Sequence, residues 1–361
     1  MNGRNKKTLA IAAVAMFCLS AVAVVLAIDD SSADDEKKTY NMFVEIINAD
    51  GHTVAKTTWV RFTCDATNES LVEEASKAIA ATPGLEKMSI TLGKYGPSVS
   101  YTGGHGSSCF YEKDGDWARV SKGSENYLST TTIGFAVNYG YIDTATYEAL
   151  TTEQKALWTA DPYPSAGWEY YLTAPAAKVS DVPELMERHL YVEIINAEGK
   201  VDTTKWIEYD SYKTLDGFIS ATTLALAANE LDKVKATESM YGGVWWTYDG
   251  AGLSTSYYAK DGEWKSVEDT TADYVNNDTI SLATNHGTIS KAVFDALSSD
   301  EQKNWKYTEW GGDYDYAKII TESTTGYKPA EKNNLVLYIV IGVVAVVAIA
   351  AIAFFLMKKK A

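Results

Sequence analysis

"YEKDGDW" at residues 111–117 returns as "YAKDGEW" at residues 258–264. In each, an Asp-Gly pair supplies the left-handed residues of a tight hairpin, and the flanking Tyr and Trp suit a sheet on either side. The recurrence holds register. Trp59 and Trp206, Trp117 and Trp264, and Trp158 and Trp305 each stand 147 positions apart. "FVEIINADG" (43–51) matches "YVEIINAEG" (191–199), and Tyr127 through Ile133 answers Tyr274 through Ile280. About a third of the best-matched positions are identical. Two copies of one domain are therefore expected, at 40–173 and 189–322, each of ordinary domain size.

Both copies have the same coarse order. An apolar, β-branched run, a turn at Asp50-Gly51 or Glu198-Gly199, and a strand around Trp59 or Trp206 predict a hairpin. A helix follows, with Leu71, Val72, Ala75 and Ile79 in the first copy and Leu215, Phe218, Ile219, Thr222 and Leu226 in the second. Strands flanking the quoted heptads come next, then "TIGFAVN" or "TISLATN". Closing helices begin at Thr151-Thr152-Glu153-Gln154 and Ser298-Ser299-Asp300-Glu301, both with capping-box spacing. The fold class expected is α+β: two tandem domains of hairpin, helix, further antiparallel strands and closing helices.

The order hairpin, helix, then "YYAKDGEWKSVEDTTADYVNNDTISLAT" (257–284) resembles the small β-grasp domain of the transcobalamin C-terminal-like family. The resemblance spans residues 190–285 and, by repetition, 42–138. It departs from the family at Asn277-Asp278-Thr279-Ile280, which lacks a glycine. It implies a β-grasp-like extracellular module. One branch of the family encloses a corrinoid, but no ligand residue carries over.

The ends predict where the modules sit. Residues 1–27 are basic and then apolar, the form of a signal peptide or an uncleaved signal anchor. Residues 335–357 are uncharged and long enough for a transmembrane helix of ~20 residues. A cytoplasmic tail, 358–361, carries three lysines, and positive charge stays inside. Residues 28–39 read as an acidic disordered segment, 174–188 as a linker and 323–334 as a stalk. The expected localisation is the cell membrane, with the repeats outside. The formal charge is −16; omitting the six basic residues at the two ends, where no acidic residue occurs, takes it to −22. Such a chain is a poor partner for nucleic acid or anionic lipid.

Cys64 and Cys109 align with Ser211 and Ser256, so both cysteines occur in one copy and neither in the other. Outside the cell that pattern predicts a Cys64–Cys109 disulfide; the alternative is two buried free thiols. His52, His105, His189 and His286 show no ligand spacing, there is no Cys-x-x-Cys, and "DGD" lacks the further oxygens of a calcium loop, so no metal is expected. "GGHGSSC" (103–109) and "NHGT" (285–288) lack the partners of a nucleophile elbow or a serine-protease triad. No catalytic residue and no cofactor are expected.

Binding is the better-supported expectation. Aromatics matched between copies read as core, whereas Trp245 and Trp246 align with Ser98 and Val99 and are peculiar to the second copy. Adjacent strand residues face opposite ways, so one Trp should point in and the other out. With Tyr257 and Tyr258 they form the candidate ligand site; the competing account is that they replace the missing disulfide with buried surface. Asn68 and Asn277 head N-x-Ser/Thr sequons, and Asn68 also stands where a helix cap belongs. The leading expectation is a membrane-anchored surface protein for adhesion, envelope organisation or ligand capture, with a glycan, an envelope protein or a small molecule as partner. The alternative is a small-molecule (corrinoid) or glycan receptor subunit, with a surface hydrolase a third class.

Overall fold

The strand β1, Lys37–Ile47, is buried almost continuously from Met42 onward, the pattern of a strand covered on both faces. This computed structural model describes residues 37–327 apart from 166, 269 and 270. β1 pairs antiparallel with β2 (Val54–Asp65) and parallel with β7 (Thr132–Asn138). A parallel neighbour requires a long crossover. The crossover holds α1 (Asn68–Ala80), a hairpin of β3 (Met88–Gly93) and β4 (Gly96–Tyr101), a hairpin of β5 (Ser108–Lys113) and β6 (Asp116–Arg119), and α2 (Gly123–Leu128). The resulting sheet has the order β2-β1-β7-β5-β6.

The remainder of the first unit is a second layer. It comprises β8 (Tyr141–Ile142), α3 (Thr144–Ala149), α4 (Thr152–Lys155), β9 (Trp158–Ser165) and β10 (Trp168–Leu172). The three strands form a sheet of order β8-β10-β9. Ile142, Leu150, Trp158 and Leu172 of this layer share one buried cluster with Ile47, Phe110 and Ala136 of the main sheet. Only helices were expected here. β8 is two residues long, and β9, WTADPYPS, is mostly exposed and holds two prolines, so neither shows the alternation of a half-buried strand.

The chain divides into two units, the first ending at Val182 and the second beginning at Pro183 and also taking in Ala81–Pro83. The second unit repeats the first. It runs β11 (Leu185–Ile195), β12 (Val201–Tyr212), α5 (Leu215–Ala228), β13 (Val234–Glu238), β14 (Val244–Tyr248), β15 (Thr255–Lys260) and β16 (Glu263–Ser266). Then come α6 (Thr271–Asn276), β17 (Thr279–Asn285), β18 (Thr288–Ile289), α7 (Lys291–Ala296), α8 (Ser299–Gln302), β19 (Trp305–Tyr307), β20 (Tyr316–Lys318) and α9 (Glu322–Thr325). Its sheets have the orders β12-β11-β17-β15-β16 and β18-β20-β19. Along β11 the period of two is explicit. Leu190, Val192 and Ile194 join Phe218, Ile219 and Leu226 of α5 in one core, while Tyr191 and Ile195 join Ile289, Leu297 and Trp305 in the other.

The correspondence extends to irregularities. The first hairpin's register shifts at Ile46/Ile47 and again at Ile194/Ile195. Asp114 and Asp261 both have φ 55°, followed by Gly115 at 86° and Gly262 at 82°, as the quoted heptads require. Both predicted capping boxes form, on Thr151 and Ser298. Three boundaries shift. Lys37–Thr39 already belong to β1, Leu185–Arg188 belong to β11 rather than to a linker, and the expected stalk begins with the last residues of α9. No helix among the described residues is long and apolar enough to cross a membrane. The expected signal peptide or anchor at 1–27, the expected transmembrane segment at 335–357 and the expected tail at 358–361 lie outside the described residues.

Candidate functional site

The hairpin β13–β14 separates the two tryptophans as strand geometry demands. Trp246 is 4% exposed and belongs to the α5 core, with its ring near Phe218 and Tyr274 and its Nε1 donating to Tyr274 Oη at 3.2 Å. Trp245 is 48% exposed and stands across from Thr237. Its indole lies on Gly252, where a Cβ would come within 2.6 Å of the ring. At the turn, Met240 and Tyr241 are 88% and 81% exposed. The turn is held by Ser239, whose amide donates to the Gly243 carbonyl at 3.1 Å. On β3–β4 the strand positions facing outward carry small hydroxyl residues, Ser89, Thr91, Ser98 and Ser100, with Ser89 and Ser100 bonded at 2.8 Å, while the turn end exposes Leu92 and Tyr95.

The other two candidate residues serve the fold. Tyr257 is half-buried, and its hydroxyl donates to the Lys318 carbonyl at 2.7 Å; burial pushes its pKa up to about 12. Tyr258 packs against the α5 core. Of the four, Trp245 alone offers a broad exposed ring. Sequence reasoning overlooked Met240, Tyr241 and the exposed Trp310, because nothing in a lone turn aromatic distinguishes exposure from burial.

The cysteines are a correction. Both thiols are free. Cys64 pairs with Lys38 on β1, whereas Cys109 pairs with Phe135, which lies beside Val44. Six residues along β1, with intervening strands, separate the two by roughly 20 Å, far beyond the ~7 Å limit for bridged Cα atoms. Burial pushes both thiols up to about 11. Each Cys/Ser exchange has its own local reason. In the second unit Ser211 Oγ accepts from Arg188 Nε at 2.9 Å, and Ser256 Oγ bonds Tyr274 Oη at 2.8 Å. In the first unit the position of Arg188 is Tyr40, whose ring stacks on Phe62, and Cys109 lies against Tyr127.

Neither sequon stands free. Asn277 Nδ2 donates to the Asp273 carbonyl at 2.8 Å, and Asn68 Oδ1 is buried without a hydrogen-bond partner among the described residues. The cap of α1 is Thr67, whose Oγ1 accepts from the Ser70 amide at 3.1 Å.

A third feature was written in the sequence and passed over: the glutamate inside both "VEII" runs. Glu45 and Glu193 are fully buried at equivalent places. Around Glu193, Tyr191 Oη donates to Oε1 at 3.0 Å and Lys318 Nζ lies 3.6 Å from Oε2. In the first unit Phe43 replaces that tyrosine, and Leu172, which pairs with Trp158 as Lys318 pairs with Trp305, replaces the lysine. Glu45 Oε2 accepts only from the Ala176 amide, at 2.9 Å, and Oε1 has no hydrogen-bond partner among the described residues. Burial pushes this carboxyl from 4.5 up to about 7, against the smaller opposing effect of that amide. The chain matches no known protein-family profile and no curated protein sequence.

Proposed function

We propose that the protein is a membrane-anchored cell-surface binding protein. Two β-grasp-like modules form the scaffold, and the β13–β14 hairpin of the second is the contact surface for a glycan or an envelope protein. The observation that carries this reading is the exposure of Trp245 on the strand face, where the first unit has Ser98; apolar residues at the turn end are common to both hairpins, Met240 and Tyr241 here and Leu92 and Tyr95 in the first unit. An exposed Trp packed against a glycine is a preformed apolar platform, with less side-chain freedom left to lose on binding. The sheet order, with a central parallel pair flanked by hairpins, supports the β-grasp-like description. Inside the second unit, Phe218, Trp246 and Tyr274 fill the space between α5 and the sheet, where a small-molecule receptor would need a chamber. We assign no catalytic residue and no cofactor.

The test has two arms. Protease added to intact cells should remove the repeats and leave the apolar C-terminal segment in the membrane. On a glycan array and on immobilised envelope fractions, Trp245→Ala should lose retention at least tenfold while unfolding at the wild-type temperature. Trp246→Ala should instead lose stability. Equal retention by Trp245→Ala and wild type would remove this hairpin as the contact surface.

A further inference from the structure

The segment after β10 lies across the main sheet of the first unit and is tied down at three points. Trp117 Nε1 donates to the Ala177 carbonyl at 2.6 Å, and the Ala176 amide donates to Glu45 Oε2 at 2.9 Å. Pro175 is buried over Gly134, where a Cβ would meet Pro175 Cγ at 3.2 Å and the Trp117 ring at 3.1 Å. Ala176 itself is exposed on its outer side. A single strap thus covers a buried carboxyl whose second oxygen is unpartnered.

Apolar or neutral groups face that carboxyl. On β1 they are Phe43 and Ile47, on β2 Thr57, on β7 Ala136, and on β10 the position of Leu172, where the second unit places a lysine. Of the charged groups on these elements, Arg61 shares the Thr57 face of β2 but stands opposite Asn41, four residues along β1 from Glu45. Arg119 of β6 lies over the Tyr171 ring, the Lys56 side chain of β2 runs beside Gly84, and Asp181 at the far end of the strap accepts from the Lys178 amide. Glu169 of β10 accepts from the Gly167 amide. An ionised Glu45 would keep one amide donor and no counter-charge.

We propose that residues 174–182 form a pH-operated latch, closed over a protonated Glu45 and released when that carboxyl must ionise. The sign follows from the two states. Below pH 4.5 the carboxyl is neutral whether the strap is closed or open. Between 4.5 and about 7 it ionises only when the strap lifts, so opening gains tenfold per pH unit. Above about 7 both states are charged and the dependence ends. The whole range amounts to an opening equilibrium shifted by roughly 300-fold. This strap is also the chain that leads into β11, so rising pH lengthens the free tether between the two units.

Hydrogen exchange of the full chain in detergent, read by mass spectrometry on peptides covering 173–182 between pH 4 and 8.5, tests this. After correction for intrinsic exchange, protection should fall about tenfold per unit up to pH 7 and then level off. Glu45→Gln should stay protected throughout. Leu172→Lys, which installs the second unit's cation, should stay protected to higher pH than wild type. Flat wild-type protection, or the same fall in a folded Glu45→Gln, overturns the latch. Should Glu45→Gln fail to fold, Leu172→Lys decides alone, and an unaltered fall in that variant is equally fatal.

Discussion

Arg188 shows how a single exchange reorganises an interior. It is fully buried with no ion pair among the described residues, and its guanidinium donates to the carbonyls of Tyr274 (2.9 Å), Asn277 (2.5 Å) and Val275 (3.2 Å) as well as to Ser211. It gathers the orphan carbonyls at the end of α6, where a cation is also favoured by the helix dipole. The first unit meets the same need with Lys38 Nζ on Leu128 O and Tyr40 Oη on Tyr127 O. Arg188→Met should therefore cost about 3 kcal/mol in the second unit's unfolding free energy, measured in urea, because several buried carbonyls lose their donors. A shift below about 1 kcal/mol would refute the capping role. Lys318→Met leaves Glu193 buried without its cation and should cost about 3–5 kcal/mol; adding Glu193→Gln should recover much of it. Failure of the double variant to recover would mean that Lys318 acts by packing.

At the scale of elements, each strand pair imposes one backbone demand twice. Gly140 and Gly287 sit so close to the carbonyl oxygens of Ala136 and Ala283 that a methyl group on either would overlap backbone. Gly140→Ala and Gly287→Ala should each destabilise their own unit by about 2 kcal/mol or more, seen as a lowered melting transition, since a backbone atom cannot rotate away. The capping boxes should be worth less. Thr151→Ala and Ser298→Ala are expected to cost about 1 kcal/mol apiece. The first hairpin and the heptad hairpin of each unit, both main helices and the two capping boxes were legible in sequence, because each rests on residues within a few positions of one another. The cap of α1 was misplaced by one residue, onto Asn68 instead of Thr67. The small sheets β8-β10-β9 and β18-β20-β19 were not legible, because β8 and β18 are two residues long and β9, with two prolines and a mostly exposed surface, carries no alternation of buried and exposed residues. The turn that shifts the repeat from 148 to 147 is a local difference: six residues, 48–53, join β1 to β2, but five, 196–200, join β11 to β12.

At the scale of the whole molecule, two units with separate cores predict two unfolding transitions, neither dependent on a crosslink. Dithiothreitol should leave both unchanged, and mass mapping after thiol labelling at pH 7 should find Cys64 and Cys109 modified only once the first unit unfolds. Thiols pushed up to about 11 hold almost no thiolate at that pH. Labelling of neither cysteine in the unfolded, unreduced chain would restore the disulfide. The sequence by itself determined the duplication, its register and the alternation of the central strands. These follow from periodicity and turn chemistry, which act over a few residues and are printed twice. Only the tertiary structure decided that the two cysteines lie apart, that Trp246 is core while Trp245 is surface, and that one buried glutamate has a lysine while its twin has only a backbone amide. Those outcomes depend on which distant strands become neighbours, and Leu172 and Lys318 disclose their meaning only once β10 and β20 have folded over Glu45 and Glu193.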